Sequence, residues 1–239
     1  MIQGNAKNET RPLQTDVVLR DIEFGDLPEV VDVHLDSFPQ SALSRLGPSI
    51  VDRYYRWQLE GPHKKVRAVG AFRDDKCVGF SFSGEFNGST SGFLKRNRSY
   101  LAGMVMLKPW LLLNPLFFDR FRSGVKLVVF KRKKKEKGAA AVTDQIPKQR
   151  SYGILSIAVA LKYQQYGIGK ILMADAEREA VECEYPQMHL TVSPDNSKAV
   201  RFYERLGWIK REENGEWRGF MVKPLIKKSS SANAGISAQ

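Results

Sequence analysis

The segment Gln164–Lys170 reads QQYGIGK and combines two glycines with a lysine where a helix is predicted to begin. Backbone N–H groups at a helix N-terminus have no partners within the helix, and the helix dipole adds about half a positive charge there. Glycine lets a ligand approach the backbone closely. This combination predicts an anion-binding loop suited to a pyrophosphate. A tight strand-to-helix turn that binds nothing is the alternative that the loop alone leaves open.

Two nucleotide-binding motifs share part of this pattern, and the residues at their fixed positions exclude both. A P-loop requires G-x-x-x-x-G-K followed by Ser or Thr, whereas Ile171 follows Lys170 and no glycine lies five residues before Gly169. A dinucleotide-binding loop requires a third small residue, as in G-x-G-x-x-G/A, and Leu172 occupies that position. A ligand of this loop would therefore belong to another class.

A second segment with chemical potential is Asn196–Trp208, which reads NSKAVRFYERLGW. Asp195 or Asn196 can cap the N-terminus of a helix there. Tyr203 follows Asn196 by two helical turns on the side turned to the sheet, so its hydroxyl is predicted to point into the protein. A core tyrosine with a local hydrogen bond is the alternative that this segment alone leaves open.

Together the two segments resemble the signature of the GNAT superfamily of acetyl-CoA-dependent N-acetyltransferases. In that family Q/R-x-x-G-x-G/A opens a helix after a buried strand, and Gln164, Gly167 and Gly169 occupy the matching positions. The family's next segment, N-x-x-A-x-x-x-Y followed by L-G-[FW], is matched within residues 196–208. The resemblance implies an α/β fold with a mixed, mostly antiparallel central sheet flanked by helices, in a single domain over residues 15–226.

The resemblance also implies a role for each matching residue, with acetyl-CoA as donor and CoA as product. The loop amides would bind the CoA pyrophosphate, the preceding strand would pair with the pantetheine amides, and Asn196 would hold the pantetheine arm. Tyr203 would be the general acid that protonates the CoA thiolate after direct attack by a neutral amine. The residues expected to contact the cofactor are Ile157, Ala158, Val159, Gln164, Gln165, Tyr166, Gly167, Ile168, Gly169, Lys170, Asn196 and Tyr203.

The sequence does not identify the general base, because the strand 152–160 reads YGILSIAVA and contains no acid. Ser156 carries the side-chain hydroxyl at its cofactor end, and Glu85 is the nearest plausible carboxylate in chain order, so both are candidate catalytic residues. His34 and Asp36 lie on the first predicted helix, where acceptor sites of the family begin. A water relay is a further alternative.

Hydrophobic periodicity predicts the elements that would position these residues. The predicted strands are Asp16–Glu23, Val66–Phe72, Cys77–Ser83, Tyr152–Ala160, Gln187–Val192, Trp208–Arg211 and Glu216–Val222. The predicted helices are Leu27–Phe38, Leu43–Leu59, a helix from the glycine loop to about Cys183, and Asn196–Leu206. This order fits the family from residue 16 to residue 223, apart from residues 86–150.

Residues 86–150 are a predicted insertion between the third and fourth strands. Its part 95–137 holds 13 Lys and Arg residues but two acids, in a chain of net charge +12. Aromatic residues alternate with the basic ones, a composition typical of an amphipathic segment at a membrane interface. No stretch reaches the roughly 20 apolar residues that span a bilayer.

Three interpretations of this basic segment compete. The first is docking to an anionic membrane surface, and the second is a lid over a phosphorylated acceptor such as a nucleotide sugar. The third is a covering element or a homodimer contact. Nucleic-acid binding is open to any basic patch and ranks below these.

Cysteine usage and the chain ends indicate the compartment. Cys77 and Cys183 provide no disulfide framework and no Cys/His cluster has zinc spacing, so no metal site is predicted and a reducing, cytoplasmic location is favoured. Residues 1–14 and 227–239 are predicted to be a disordered leader and tail, without a secretory signal.

The acceptor is inferred from a further resemblance. The insertion and the stretch 38–47 resemble bacterial acetyltransferases of surface-polysaccharide assembly. This implies an amino-sugar acceptor, nucleotide-linked or lipid-linked, and a location at the inner face of the membrane. A protein-lysine acetyltransferase and a non-catalytic acyl-CoA-binding module are the alternatives.

Overall fold

The computed structural model describes residues 16–61, 64–86, 89–107, 150–213 and 215–225 of the 239-residue chain. The strands are β1 (Val18–Asp21), β2 (Lys64–Arg73), β3 (Lys76–Glu85), β4 (Tyr152–Val159), β5 (Gln187–Thr191), β6 (Ile209–Lys210) and β7 (Phe220–Pro224). The helices are α1 (Leu27–Ser37), α2 (Ala42–Leu46), α3 (Pro48–Glu60), α4 (Ser89–Arg96), α5 (Arg98–Leu107), α6 (Ile168–Glu182) and α7 (Ser197–Arg205). One-turn 3-10 helices lie at Phe24–Asp26 and Leu161–Tyr163.

The strands form one seven-stranded sheet in the order β1-β2-β3-β4-β5-β7-β6. Neighbouring strands are antiparallel except for β4 and β5, which are parallel. A parallel pair requires a long crossover connection, and α6 provides it. The sheet is mixed, mostly antiparallel and flanked by helices, so the predicted fold class is confirmed.

One side of the sheet, called the α1 face here, packs against α1 and α3. Phe80, Phe82 and Ala158 contribute to it from β3 and β4, and Tyr55 and Val51 contribute from α3. Alternate residues of a strand point to opposite faces, which explains why these positions along each strand share one cluster.

The opposite side, called the α6 face, packs against α6 and α7. Near β2 and β3 it buries Ile168 and Leu172 of α6. Near β5 and β7 it buries Met188 and Met221 together with Tyr203 of α7. Because helices cover both faces, β3 is buried along nearly its whole length.

The prediction of one helix over Leu43–Leu59 is wrong, because α2 and α3 are separate helices. Gly47 between them has a φ of +106°, a conformation that favours glycine. Pro48 begins α3 and lacks the N–H that a continuous helix would need there. Ser41 caps α2, with its Oγ accepting a hydrogen bond from the Ser44 N–H at 3.0 Å.

The predicted insertion is described in its first part, where α4 and α5 follow β3. Its remaining residues, 108–149, lie outside the described residues, as do the predicted leader 1–14 and tail 227–239. Within the described ranges, no helix is long and apolar enough to cross a membrane.

The last strand begins at Phe220 rather than at the predicted Glu216, because Gly219 interrupts the extended chain with a φ of +92°. The Val192 N–H donates a hydrogen bond to the Gly219 carbonyl at 2.9 Å and so fixes β7 to the end of β5. A Cβ atom at Gly219 would lie 2.0 Å from the Val192 carbonyl oxygen. This close approach makes position 219 intolerant of any side chain.

We expect Gly219→Ala to lower the free energy of unfolding by roughly 3 kcal/mol or more. Gly215→Ala is the matched control, because Gly215 also has a left-handed φ of +78° but nothing within 4 Å of its Cβ position. The control should lose about 1–2 kcal/mol. Urea unfolding followed by circular dichroism measures both losses, and equal losses would contradict the close approach.

Candidate active site

The sheet opens between β4 and β5. These strands pair at two positions, Tyr152 with Met188 and Gly153 with His189, and the rest of β4 diverges from β5. The cause lies in the β3–β4 register, which shifts so that Leu155 is an extra residue on β4. A bulge of this kind bends its strand and increases the local twist. The result is a gap that widens from Ile154 towards the C-terminal end of β4.

Backbone groups of β4 point into this gap. The Ala160 N–H donates to the Val78 carbonyl of β3 at 3.0 Å. Because backbone direction alternates along an antiparallel ladder, Ala158 turns its backbone towards β3, whereas Ile157 and Val159 turn theirs towards the gap. The geometry therefore favours Ile157 and Val159, rather than Ala158, among the three predicted strand contacts.

One backbone group at the edge of β4, the carbonyl of Val159, already has hydrogen-bond partners within the protein. The Val159 carbonyl accepts hydrogen bonds at 3.0 Å from the Ser37 hydroxyl and from the Gln164 side-chain amide. Gln164 therefore ties the glycine loop to β4 through its side chain. The groups left facing the gap are the N–H and carbonyl of Ile157 and the N–H of Val159.

The glycine loop lies directly beyond the end of β4. Gln165 and Gly167 both have left-handed backbones, with φ of +70° and +82°, and α6 begins at Ile168. No group in the described ranges accepts a hydrogen bond from the backbone N–H groups of residues 165–169. Five donors at the N-terminus of a 15-residue helix are able to bind an anion.

Lys170 is predicted to contact a phosphate through its backbone N–H and through its side chain, and the structure leaves the side chain for this contact. Its backbone N–H donates to the Gly167 carbonyl at 2.9 Å, so this amide is not available in the loop. Its side chain is exposed. Gly169 packs closely against α7, since a Cβ atom there would lie 3.4 Å from the Phe202 ring.

Asn196 caps α7, as one of the two sequence alternatives predicted. Its side-chain oxygen accepts a hydrogen bond from the Ala199 N–H at 3.1 Å. The oxygen is thus committed to the helix, and the side-chain NH₂ remains the group that can donate to a ligand.

Tyr203 is buried on the α6 face, in the cluster that also contains Ile154, where the gap begins to open. Burial raises the pKa of its phenol from the usual 10 to about 12. In the part of the chain that the structure describes, its hydroxyl has no hydrogen-bond partner. A phenol that is held protonated and has no internal hydrogen-bond partner is able to donate a proton to a ligand that reaches it.

Ser156 is the first residue of β4 beyond the bulge, and it points to the α1 face. Its hydroxyl lies 2.9 Å from the hydroxyl of Tyr55, which lies 2.7 Å from Nδ1 of His34. Sequence reasoning singled out Ser156 and His34 and missed Tyr55. The signal available was its position four residues after Val51 on the inner side of α3.

The structure does not bring Glu85 to the gap. Its neighbour Gly84 pairs with Gly153, where β4 and β5 are still joined, and Ser156 lies about 10 Å further along the strand. The Glu85 carboxylate accepts a hydrogen bond from the Tyr185 hydroxyl at 2.6 Å and lies 3.5 Å from Arg150. This position at the closed end of the gap argues against Glu85 as the base.

Asp36 also has a local structural contact. Its carboxylate accepts a hydrogen bond from the Leu161 N–H at 2.7 Å, which joins the end of α1 to the turn after β4.

Among the described residues, no group of three or more His, Cys, Asp or Glu side chains is arranged to hold a metal ion.

Comparison with known proteins gives both a family match and a fold match. The sequence profile of the acetyltransferase (GNAT) domain matches residues 117–229. No curated protein sequence is matched by the chain. The profile match includes the glycine loop and the α7 segment.

Solved structures similar to this chain include three acetyltransferases. The PaiA N-acetyltransferase of Thermoplasma acidophilum in complex with coenzyme A has a TM-score of 0.50 at 14% identity, covering 87% of this chain and 99% of that one. A GNAT superfamily phosphinothricin acetyltransferase of Sinorhizobium meliloti in complex with acetyl-CoA has a TM-score of 0.52 at 13% identity, covering 92% and 95%. The ribosomal-protein-alanine N-acetyltransferase of Brucella melitensis has a TM-score of 0.50 at 14% identity, covering 87% and 99%. These similarities support the GNAT-like fold.

The capping role of the Asn196 side-chain oxygen can be tested separately from any role of its side-chain NH₂. We expect Asn196→Ala to lower the free energy of unfolding by about 1 kcal/mol, because it removes the acceptor for the Ala199 N–H. Asn196→Asp keeps that acceptor and should leave the stability near that of the wild type. Thermal unfolding compares the two, and equal destabilisation by both variants would contradict the cap.

Proposed function

We propose that this chain is an acetyl-CoA-dependent N-acetyltransferase of the GNAT superfamily. The observation that carries the proposal is the meeting of two features at the end of β4: a gap with backbone groups of Ile157 and Val159, and a loop with five unpaired amides. The profile match and the fold shared with CoA-bound acetyltransferases support it.

The residues at this site fit CoA in two respects. An extended chain with amide groups can pair with a strand edge as an added β-strand, and the gap offers such an edge at Ile157 and Val159. A pyrophosphate suits the loop 165–169 at the start of α6, and the NH₂ of Asn196 is a donor for the pantetheine arm. When bound, acetyl-CoA supplies an acetyl group activated as a thioester.

The chain's own groups have distinct tasks in this proposal. The backbone N–H groups facing the gap act as hydrogen-bond donors to a carbonyl oxygen that gains negative charge. The phenol of Tyr203, whose raised pKa keeps it protonated, delivers a proton to the departing sulfur from the α6 face. The hydroxyl of Ser156 is presented on the α1 face.

The acceptor in this proposal is the primary amine of an amino sugar, nucleotide-linked or lipid-linked. On the α1 face of the C-terminal strands, Thr191 is exposed and the half-buried side chains of His189 and Phe220 lie with ring centroids 5.9 Å apart. Polar groups beside an aromatic ring are the lining expected for a saccharide. The resemblance to polysaccharide-assembly acetyltransferases supports the same acceptor.

Two alternatives are retained. A protein acceptor is favoured by the fold shared with a ribosomal-protein-alanine N-acetyltransferase. A non-catalytic acyl-CoA-binding module would keep the loop and the gap without turnover.

A CoA thiol-release assay with acetyl-CoA tests the proposal against amino-sugar nucleotides, polyamines and lysine peptides. We expect release with the amino-sugar nucleotides. Release with peptides alone would identify a protein acetyltransferase, and CoA binding without release by any amine would identify a non-catalytic module.

We expect Tyr203→Phe to lower kcat about 100-fold, because it removes the proton donor and keeps the ring. The Kd for CoA should change little. Tyr185→Phe is the matched control, since Tyr185 is a buried tyrosine of the same cluster whose hydroxyl binds Glu85 at the closed end of the gap. Steady-state kinetics and CoA titration measure both variants, and equal turnover of Tyr203→Phe and wild type would remove Tyr203 from the mechanism.

The basic segment 95–137 is proposed to dock the enzyme to the inner face of an anionic membrane. Its composition supports this, and Met106, at the end of the described part, is 83% exposed. Each basic residue near an anionic surface contributes about 1 kcal/mol. A lid over the acceptor and a homodimer contact remain the competing interpretations.

Replacing the five basic residues 131–135 with glutamine should weaken binding to vesicles containing phosphatidylserine by roughly 5,000-fold. Co-sedimentation with anionic vesicles and with neutral vesicles measures this. Unchanged binding to anionic vesicles would contradict docking through this segment, and tight binding of the wild type to neutral vesicles would contradict an electrostatic attraction.

A further inference from the structure

A chain of hydrogen-bonded side chains crosses the protein core from Ser156 on β4 to the turn before α2. Beyond Ser156, Tyr55 and His34, it continues from Nε2 of His34 to the Ser41 hydroxyl at 3.4 Å and from there to the Ser44 hydroxyl at 2.8 Å. Ser44 ends the chain by donating to the Phe38 carbonyl at 2.6 Å. Tyr55 and His34 are buried, while both serines at the far end are partly exposed.

The direction of every hydrogen bond in this chain follows from its last member. A carbonyl can only accept, so the single proton of the Ser44 hydroxyl is committed to Phe38. The Ser44 oxygen must then accept from the Ser41 hydroxyl. Ser41, having used its proton, must accept from Nε2 of His34.

The position of the proton on His34 sets the direction of the hydrogen bonds between His34 and Ser156. His34 carries its proton on Nε2 and is neutral, so its Nδ1 accepts from the Tyr55 hydroxyl. The Tyr55 oxygen therefore accepts from the Ser156 hydroxyl. All protons point from β4 towards the turn before α2, and a lone pair of the Ser156 oxygen remains to accept a proton at the gap.

The surroundings of the chain keep it neutral. Burial lowers the pKa of His34 to about 4 and raises the pKa of Tyr55 well above 10. Tyr54 is the titratable neighbour of Tyr55 on α3. Asp32 and Asp36 of α1 are exposed, and in the described ranges no charged side chain forms a hydrogen bond or an ion pair with His34 or Tyr55.

We propose that Ser156 accepts the proton of the acceptor amine and that Tyr55 and His34 relay it through the core. In this step an N–H bond of the ammonium breaks and an O–H bond forms on Ser156. The proton of Ser156 passes to the Tyr55 oxygen, and the proton of Tyr55 passes to Nδ1 of His34. The amine becomes neutral, and His34 becomes a transient imidazolium.

The imidazolium then releases its Nε2 proton towards Ser41 and solvent, which leaves His34 with its proton on Nδ1. After the product leaves, Nε2 takes up a proton from solvent at Ser41, the Nδ1 proton returns to Tyr55, and the Tyr55 proton returns to Ser156, which gives its own proton to solvent in the open gap. Over the full cycle the amine proton therefore ends in solvent and the chain regains its starting protonation. Because burial disfavours the charged imidazole, His34 conducts the proton and does not store it. The relay takes the place of the acid that β4 lacks.

The relay rests on the proposed function and adds a spatial division to it. Ser156 lies on the α1 face of β4, whereas Tyr203 lies in the cluster on the α6 face. Ser156 therefore takes up a proton on one face of the sheet, and Tyr203 delivers a proton on the opposite face. Ser156 is the catalytic residue of this step, and Tyr55 and His34 are positioning residues that act through it.

The kinetic test compares Tyr55→Phe with Tyr54→Phe, the same change at the adjacent residue. At pH 7, Tyr55→Phe should lower kcat about 100-fold with an unchanged KM for acetyl-CoA, because the amine proton has no path. The deficit should close above the pKa of the acceptor amine, where the amine binds already neutral. Tyr54→Phe should follow the wild-type profile.

Three kinetic results would overturn the relay. They are wild-type turnover of Tyr55→Phe at pH 7, a deficit that stays constant across the pH range, and an equal deficit in Tyr54→Phe. A constant deficit would mean that the Tyr55 hydroxyl is needed only for packing. Ser156→Ala should show the same pH-dependent rescue as Tyr55→Phe.

A second test does not depend on activity. In the full chain labelled with ¹⁵N-histidine, NMR should show His34 neutral at pH 7 with its proton on Nε2, and both Tyr55→Phe and Ser156→Ala should shift its Nδ1 resonance. His34→Asn assigns the signal among the three histidines. A proton on Nδ1 would overturn the direction of the relay even in a chain that acetylates nothing, whereas absence of CoA release by the wild type would overturn the proposed function alone.

Discussion

The separation of β4 from β5 is the constraint on which the rest of this structure depends. A parallel neighbour would normally satisfy the backbone of a central strand along its length. Here the bulge at Leu155 bends β4 away after two paired positions, and the groups of Ile157 and Val159 face the opening. Such groups are costly to leave unpaired in a protein interior, so the gap favours a ligand that carries amides.

The surrounding elements hold this opening in place rather than closing it. Ser37 at the end of α1 and Gln164 in the loop both bind the Val159 carbonyl, so the end of β4 is anchored to two elements. On the other side, β5 is held by β7 at all five of its residues. The gap is therefore a built feature with fixed edges, and α6 begins where its open end meets the loop.

Sequence reasoning found those parts of the site that depend on local backbone rules. The loop around Gly167 needs a left-handed residue before a helix, and Asn196 caps the next helix, so both leave marks in short stretches of sequence. For Tyr55, helical spacing from Val51 indicates burial only, because its role arises from a contact with Ser156, about 100 residues away in the chain. The break at Gly47 was missed for another reason: the apolar periodicity continues through it, and only the Gly-Pro pair reveals the end of a helix.

The lack of an acidic residue on β4 is consistent with the buried surroundings of position 156. A carboxylate at position 156 would face Tyr55, a fully buried residue, without a cation in contact, and desolvation would raise its pKa. A hydroxyl has no such penalty, and a row of neutral donors and acceptors can pass a proton without holding a buried charge. The requirement is that every member be hydrogen-bonded, since one missing partner leaves a buried polar group unsatisfied. From Ser156 to the carbonyl of Phe38 each hydroxyl and ring nitrogen has a partner, and this completeness distinguishes a conducting chain from an isolated buried histidine.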